Sequence, residues 1–140
     1  MYEQILIPTD GSERSVRSVE HGFDLAEEYD AVVHLLYVLD DHVYETPALS
    51  SSELFLEKLE TSAETMLSEI EQRATDRGLT VVSTCHRGSP SDVILDYLDG
   101  HEIDLVVMGR HGSRNPEYHG HIGTCTNRVL RQAPVPVITV

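Results

Sequence analysis

The sequence predicts an α/β fold: an open five-stranded parallel sheet of order 3-2-1-4-5 with two helices on each face. Three observations predict it. Five short apolar or β-branched runs alternate with four stretches of helical periodicity along the 140 residues, the pattern of a parallel sheet. The connections are short, and right-handed crossovers turn such an alternation into a sheet covered on both faces. The apolar run 103–108 ends in a glycine turn, Gly109-Arg110-His111-Gly112, and a second glycine, Gly123, opens a further helical pattern. A strand that ends in glycines facing a helix start is how such sheets hold anions.

Gln4 to Thr9 reads as a short buried strand. Asp10-Gly11-Ser12 is a turn with Ser12 as helix N-cap, and Val16, Val19, Phe23 and Ala26 form one helical face. Ala31 to Leu39 is a nearly continuous apolar run, broken by His34 and Tyr37, as in a strand covered on both sides. Asp40 to Ser52 reads as a loop. Leu56, Leu59, Ala63, Met66, Leu67, Ile70 and Ala74 mark a long amphipathic helix that stops at Arg77-Gly78. Leu79 to His86 is a strand near an edge. Ser89-Pro90-Ser91-Asp92 starts a helix whose apolar face carries Val93, Ile94, Tyr97 and Leu98. After the strand at 103–108 and the polar loop 109–121, a last helix from Gly123 to Gln132 turns Val129, Leu130 and Ala133 inward. Val135 to Val140 closes the sheet, and Pro134 and Pro136 put that strand at an edge.

Ligands of open parallel sheets sit beyond the carboxyl ends of the strands, where strand order reverses. With order 3-2-1-4-5 the reversal lies between the strands that lead into Asp10 and into Gly109. An acid and a glycine turn from opposite halves of the chain are thus expected at one crevice. The glycine spacing is neither a Walker A loop nor a compact dinucleotide turn.

Pro8-Thr9-Asp10 after strand one, Leu36-Tyr37-Val38 closing strand two, Gly88-Ser89-Pro90, Val107-Met108-Gly109-Arg110-His111-Gly112, Gly123-Thr124-Cys125-Thr126 and Val135-Pro136-Val137 resemble the universal stress protein family over the whole chain, in order and spacing. The resemblance implies an adenine nucleotide alpha hydrolase-like fold and homodimers paired through the last strand, here Val135–Val140. It also implies ATP as ligand in one branch of the family, with Mg²⁺ or Mn²⁺. By position, Asp10 would approach the triphosphate through the metal ion and Pro8 and Thr9 would line the same wall. The Val38 backbone would meet the adenine edge, with Met108 under the nucleotide. Gly109, Arg110, His111 and Gly112 would wrap ribose and phosphates. Gly123, Thr124, Cys125 and Thr126 would offer N–H and hydroxyl groups to the phosphates. Ten residues, 113–122, separate Gly112 from Gly123 where the nucleotide-binding branch has nine; a bulge near Gly120 would absorb the extra one, whereas a shift of the loop would misplace Gly123.

His111, His119 and His121 share one loop, but no cysteine or acid completes a tetrahedral set, and they read as solvated side chains. Arg128 and Arg131 read as surface residues of the last helix. Ser12 and Ser15 have no histidine–acid partners in the sequence, so no catalytic residue is assigned. Two other functions remain open at this level: a nucleotide-free dimeric interaction protein, and a slow metal-dependent ATPase.

The net charge is −14, from 24 acidic and 10 basic residues. Such a surface repels nucleic acid and anionic membranes. No apolar stretch approaches the roughly 20 residues of a membrane span. Met1-Tyr2-Glu3-Gln4 runs straight into a strand with no leader pattern, and Cys85 and Cys125 do not form a disulfide framework. A soluble cytoplasmic protein is expected. Nine of the ten basic residues are arginine and Lys58 is the only lysine, a composition suited to a salt-rich cytoplasm that screens self-repulsion. The unfolding midpoint is therefore expected to rise steeply with molar KCl in thermal melts. Salt-indifferent stability would remove the halophilic reading.

Overall fold

The first strand, β1 (Gln4–Thr9), sits in the middle of the sheet. It pairs with β2 (Val32–Asp40) on one side and with β4 (Leu105–Met108) on the other. Outside these lie β3 (Val81–Gly88) and β5 (Val137–Thr139), giving the order β3-β2-β1-β4-β5 with every pair parallel. This computed structural model describes residues 1–40, 49–110 and 123–140, and their side chains except at 13, 14 and 49–56. The helices are α1 (Glu13–Tyr29), α2 (Leu49–Asp76), α3 (Pro90–Gly100) and α4 (Thr124–Gln132).

Handedness decides which face each helix covers. The steps β1 to β2 and β2 to β3 move one way across the sheet and place α1 and α2 on the same face. The steps into β4 and β5 move the other way and place α3 and α4 opposite. The side chains agree. Ile5, Ile7, Val33, Leu35, Leu105 and Val107 pack with Val19, Phe23 and Ala26 of α1 and Leu67 and Ala74 of α2. Leu6, Leu36, Val106 and Met108 pack with Ile94, Tyr97 and Leu98 of α3 and Val129 of α4. The alternation along β1 is the period-two geometry of a strand buried on both faces.

The expected elements are all present, with shifted limits. Helix α2 begins at Leu49, so the serines expected in a loop are helical, and β2 runs on to a buried Asp40. Residues 41–48 of that expected loop lie outside the described residues. β4 starts at Leu105 rather than 103, because Asp104 serves as a clamp. Its Oδ2 accepts the backbone N–H groups of Glu3 and Gln4, both at 2.9 Å, and pins β1 to β4 at their amino ends. The closing strand is three residues, Val137–Thr139, and lies at an edge as its prolines required.

Two inward assignments are corrected. Val16 is 43% exposed and Leu130 is 37% exposed. The first turns of α1 turn Ser15 and Ser18 inward instead, their hydroxyls bonded to backbone carbonyls, so Val16 falls off the buried stripe. The short α4 buries only the line through Thr126 and Val129. Ser12 caps α1 as expected, accepting from Ser15 N at 3.3 Å, whereas Ser89 occupies the N-cap of α3 without a side-chain cap bond.

Toward the amino end of β2, the buried histidine of the run has a partner at each ring nitrogen. His34 is buried, with Nδ1 2.7 Å from the Tyr97 hydroxyl and Nε2 2.6 Å from Gln4 Oε1. The two partners suit a neutral ring: Tyr97 donates to Nδ1, and Nε2–H donates to the amide oxygen. The Tyr97 ring stacks on His101 at 3.8 Å. Burial, and then the charge of nearby His101, push the His34 pKa below its ordinary value. Unfolding therefore takes up a proton on His34 at mildly acid pH, so this contribution is complete above the ordinary value and fades as pH falls below it. The unfolding midpoint is expected to drop between about pH 7 and 5.5, and less so in His34→Gln. Parallel pH profiles for the two proteins would contradict this.

Candidate functional site

The carboxyl ends of β1 and β4 leave the sheet side by side, because Ile5 pairs with Leu105 and Leu6 with Val106 in parallel register. From β1 the chain enters a turn held by its own polar groups. The Thr9 hydroxyl, buried, donates to Ser15 Oγ at 2.9 Å, and Gly11 N–H reaches Thr9 Oγ1 at 3.2 Å. Asp10 Oδ1 accepts from Ser12 N at 2.9 Å, an Asx turn that fixes the direction of the carboxylate. Gly11 sits at φ +78°, in the left-handed region that glycine tolerates. Pro8 is buried beneath this turn and Asp10 is half-buried.

From β4 the chain passes the buried Met108 into Gly109 and Arg110, and three tethers hold that exit. Thr126 Oγ1 donates to the Gly109 carbonyl at 2.8 Å. Gly123 N donates to Arg110 O at 2.6 Å, and Arg110 N donates to Val140 O at 3.1 Å. The start of α4 is thereby fixed against the glycine turn. Gly123 is the N-cap, in extended conformation and without a side-chain cap bond. The first intrahelical bond runs from Asn127 N to Gly123 O. The N–H groups of Thr124, Cys125 and Thr126 have no acceptor within the helix.

The expected site residues divide accordingly. Pro8, Thr9 and Asp10 come together at the β1 exit, and Met108, Gly109, Arg110, Gly123, Thr124, Cys125 and Thr126 at the β4 exit. Val38 lies near the end of β2, partly buried, and packs with Cys125 on the same cluster as Met108. His111 and Gly112 lie outside the described residues, as do His119 and His121. The Thr126 hydroxyl, expected to face phosphate, instead ties Gly109 and is 3% exposed, whereas Thr124 is exposed.

Cys125 carries a protonated thiol. Burial pushes its pKa up to about 11, with the Arg128 guanidinium pulling down and the Asp40 carboxylate pushing up. Arg128, read from sequence as a surface residue, donates to Ser91 Oγ at 2.8 Å and pairs with Asp92, joining α4 to the start of α3. Among the described residues no group of three or more His, Cys, Asp or Glu is arranged to hold a metal ion by itself. A single oriented carboxylate suits a hard divalent cation that takes its other ligands from phosphate and water.

Sequence reasoning missed Met66 and Tyr37 as part of this region. A β-carbon on Gly11 would collide with Met66 Sδ and touch the Tyr37 ring at 3.6 Å. The spacing on α2 marked Met66 only as a core position, and nothing in the sequence pairs it with Gly11.

The family model described as "Universal stress protein family" matches residues 1–140. The chain is 32% identical over 141 residues to universal stress protein MJ0531 of Methanocaldococcus jannaschii, covering all of this chain and 82% of that protein. It is similar to the solved universal stress protein UspA from Lactobacillus plantarum, with a TM-score of 0.90 and 30% identity over 99% of this chain and 97% of that one. Two neighbours of the same fold were solved with adenine nucleotides. One is a universal stress protein in complex with cAMP (TM-score 0.73, 20% identity, covering 99% of this chain and 96% of that one). The other is the Archaeoglobus fulgidus protein in complex with dAMP (TM-score 0.69, 19% identity, covering 99% and 97%).

Thr126→Val keeps the shape of the side chain and leaves the partly buried Gly109 carbonyl without its hydroxyl partner. It is expected to cost roughly 1–2 kcal/mol and to speed amide exchange at the glycine turn. A urea unfolding midpoint equal to the parent's would contradict the tether.

Proposed function

This chain belongs to the universal stress protein family, and on that premise we propose that it binds ATP across the carboxyl ends of β1 and β4. The bound nucleotide acts as a switch in a stress response. The observation that carries the reading is the convergence of two separate pieces of chain: the Asp10–Ser12 turn and the tethered Gly109–α4 junction leave adjacent strands at the same end of the sheet. The adenine nucleotides bound by relatives of this fold support the ligand class.

The roles follow from the chemistry of each group. The first N–H groups of α4, with the helix dipole behind them, favour an anion. Gly109 has no side chain, so phosphate or ribose can approach its backbone. Pro8, Thr9 and Met108 would line the wall of the cleft and Val38 would offer backbone edges to adenine; His111 and Gly112, outside the described residues, are assigned to ribose and phosphates with Arg110 from their sequence positions alone. Asp10, oriented by Ser12 N–H, would hold Mg²⁺ or Mn²⁺. Such an ion, when bound, neutralises phosphate charge and bridges it to the carboxylate. Ser12 and Ser15 hold the turn rather than the ligand, and no catalytic residue is assigned.

Homodimerisation through Val135–Val140 belongs to the same reading. β5 is an edge strand, and a second copy would satisfy its open backbone groups. The ordered nucleotide and its surrounding loops would then present a surface to regulatory protein partners in the cytoplasm. Among the described residues no helix is long and apolar enough to cross a membrane.

Calorimetry with Mg-ATP tests the proposal. The parent is expected to bind. Gly109→Val is expected to weaken affinity at least about tenfold, because its side chain enters the space of the phosphate or ribose, with the unfolding midpoint little changed. Asp10→Ala is expected to make binding insensitive to Mg²⁺. Full ATP affinity in Gly109→Val would move the site elsewhere, and a parent that neither binds nor co-purifies with adenine nucleotide would favour the nucleotide-free dimer.

A further inference from the structure

Met66 reaches from α2, on the first face of the sheet, to the β1–α1 turn. Its thioether lies so close to Gly11 that a β-carbon there would collide with the sulfur, and that β-carbon would also touch the Tyr37 ring of β2 at 3.6 Å. Gly11 is the residue between the Asp10 carboxylate and Ser12, the N-cap of α1, and its left-handed backbone bends the chain there. The thioether is therefore an apolar neighbour packed on the bend of the hydrogen-bonded Thr9–Ser12 turn. Met66 is also only partly buried, unlike Met108, which is 5% exposed. The third methionine, Met1, is almost fully exposed and touches none of this.

We infer that Met66 is an oxidation-sensitive modification site: adding one oxygen to its sulfur displaces the turn that carries Asp10 and so weakens nucleotide binding. The regulatory half of this inference rests on the nucleotide-binding reading above. The co-reactant is a peroxide. A sulfur lone pair attacks one peroxide oxygen, the O–O bond breaks, and an S–O bond forms. The thioether is oxidised by two electrons to the sulfoxide while the second oxygen leaves as water. The product is larger and polar where the parent was slim and apolar. The sulfur lies against the Gly11 backbone, and the sulfoxide is bulkier and more polar at that contact. Either Met66 withdraws or Gly11 moves. In both cases the bonds Gly11 N to Thr9 Oγ1 and Ser12 N to Asp10 Oδ1 lose the support that holds them in register.

The experiment treats the whole protein with hydrogen peroxide, locates the added oxygen by peptide mass spectrometry, and measures amide exchange over residues 9–15 together with Mg-ATP affinity. The expected result is a sulfoxide at Met66, exchange over 9–15 faster by about tenfold and affinity weaker by about tenfold. Met66→Leu, which keeps both cysteines and has no thioether at that position, is expected to hold both values under the same treatment. Met66→Gln, with a polar tip at the same place, is expected to show the fast exchange without peroxide. Complete sulfoxide formation at Met66 with unchanged exchange over 9–15 would overturn the inference. So would equal losses in treated Met66→Leu, or conversion of Met1 while Met66 stays reduced. If the untreated parent binds no nucleotide, the function proposed above fails, and the exchange measurement still decides whether Met66 governs the turn.

Discussion

Everything in this molecule depends on β1 having a parallel neighbour on both sides. Ile5, Leu6 and Ile7 are wholly buried, alternating between the α1–α2 face and the α3–α4 face. At about 1.5–3 kcal/mol for each fully buried aliphatic side chain, that tripeptide contributes far more than any surface contact. A strand enclosed in this way has only one place to become polar, which is its end. Because the sheet grows outward from β1 in both directions, the crossovers diverge there, which is where open parallel sheets form their ligand crevice. The polar turn at Asp10 and the glycine exit at Gly109 follow the ends of these two adjacent parallel strands.

The central pair is pinned at both ends by different means. Below, the Asp104 carboxylate gathers the N–H groups of Glu3 and Gln4 at the entrance to β1. Above, β4 is fastened through Gly109, Arg110 and Val140 to α4 and β5. The polar side chains next to β1 and β4 mostly bind backbone, which fixes strand position more tightly than a side-chain pair between mobile surface groups. On the outer faces the contrast is plain. Arg73 and Arg77 of the α2 end bind Glu20, Asp24 and Glu27 of α1 across exposed surface, where screening leaves each pair worth little.

The fold was legible because its signals are local and repeated. The β1 run, the apolar stripe Val19–Phe23–Ala26 and the proline start of α3 each follow from period and capping chemistry, and with the order 3-2-1-4-5 right-handed crossovers set which face each helix covers. Element limits were less legible, because they are set by tertiary partners. Asp104 leaves the fourth strand to clamp the first, and Ser50–Ser52 join a helix although their composition reads as loop. The candidate site was legible as a place, through Asp10 and Gly109. Its internal wiring was not: that Thr126 ties Gly109, that Thr9 bonds Ser15, and that Met66 lies on Gly11 are contacts between residues far apart in sequence or identical in type to ordinary caps and core positions.

Charge narrows the ways in which this cleft could hold an anion. The chain carries −14 overall, and several of its arginines are already engaged: Arg73 and Arg77 with α1, Arg87 with Glu60, and Arg128 with Asp92. Recognition of phosphate by a ring of guanidinium groups would need partners taken from these bridges, at the expense of helix contacts. Backbone N–H groups carry no such conflict. They are electrically neutral, held by α4 in fixed directions, and strengthened by the helix dipole. A carboxylate at the opposite lip would repel phosphate unless a divalent cation stood between them. On the proposed reading, a glycine exit, a helix start and one oriented aspartate in so acidic a protein would take the anion together with a metal ion rather than alone.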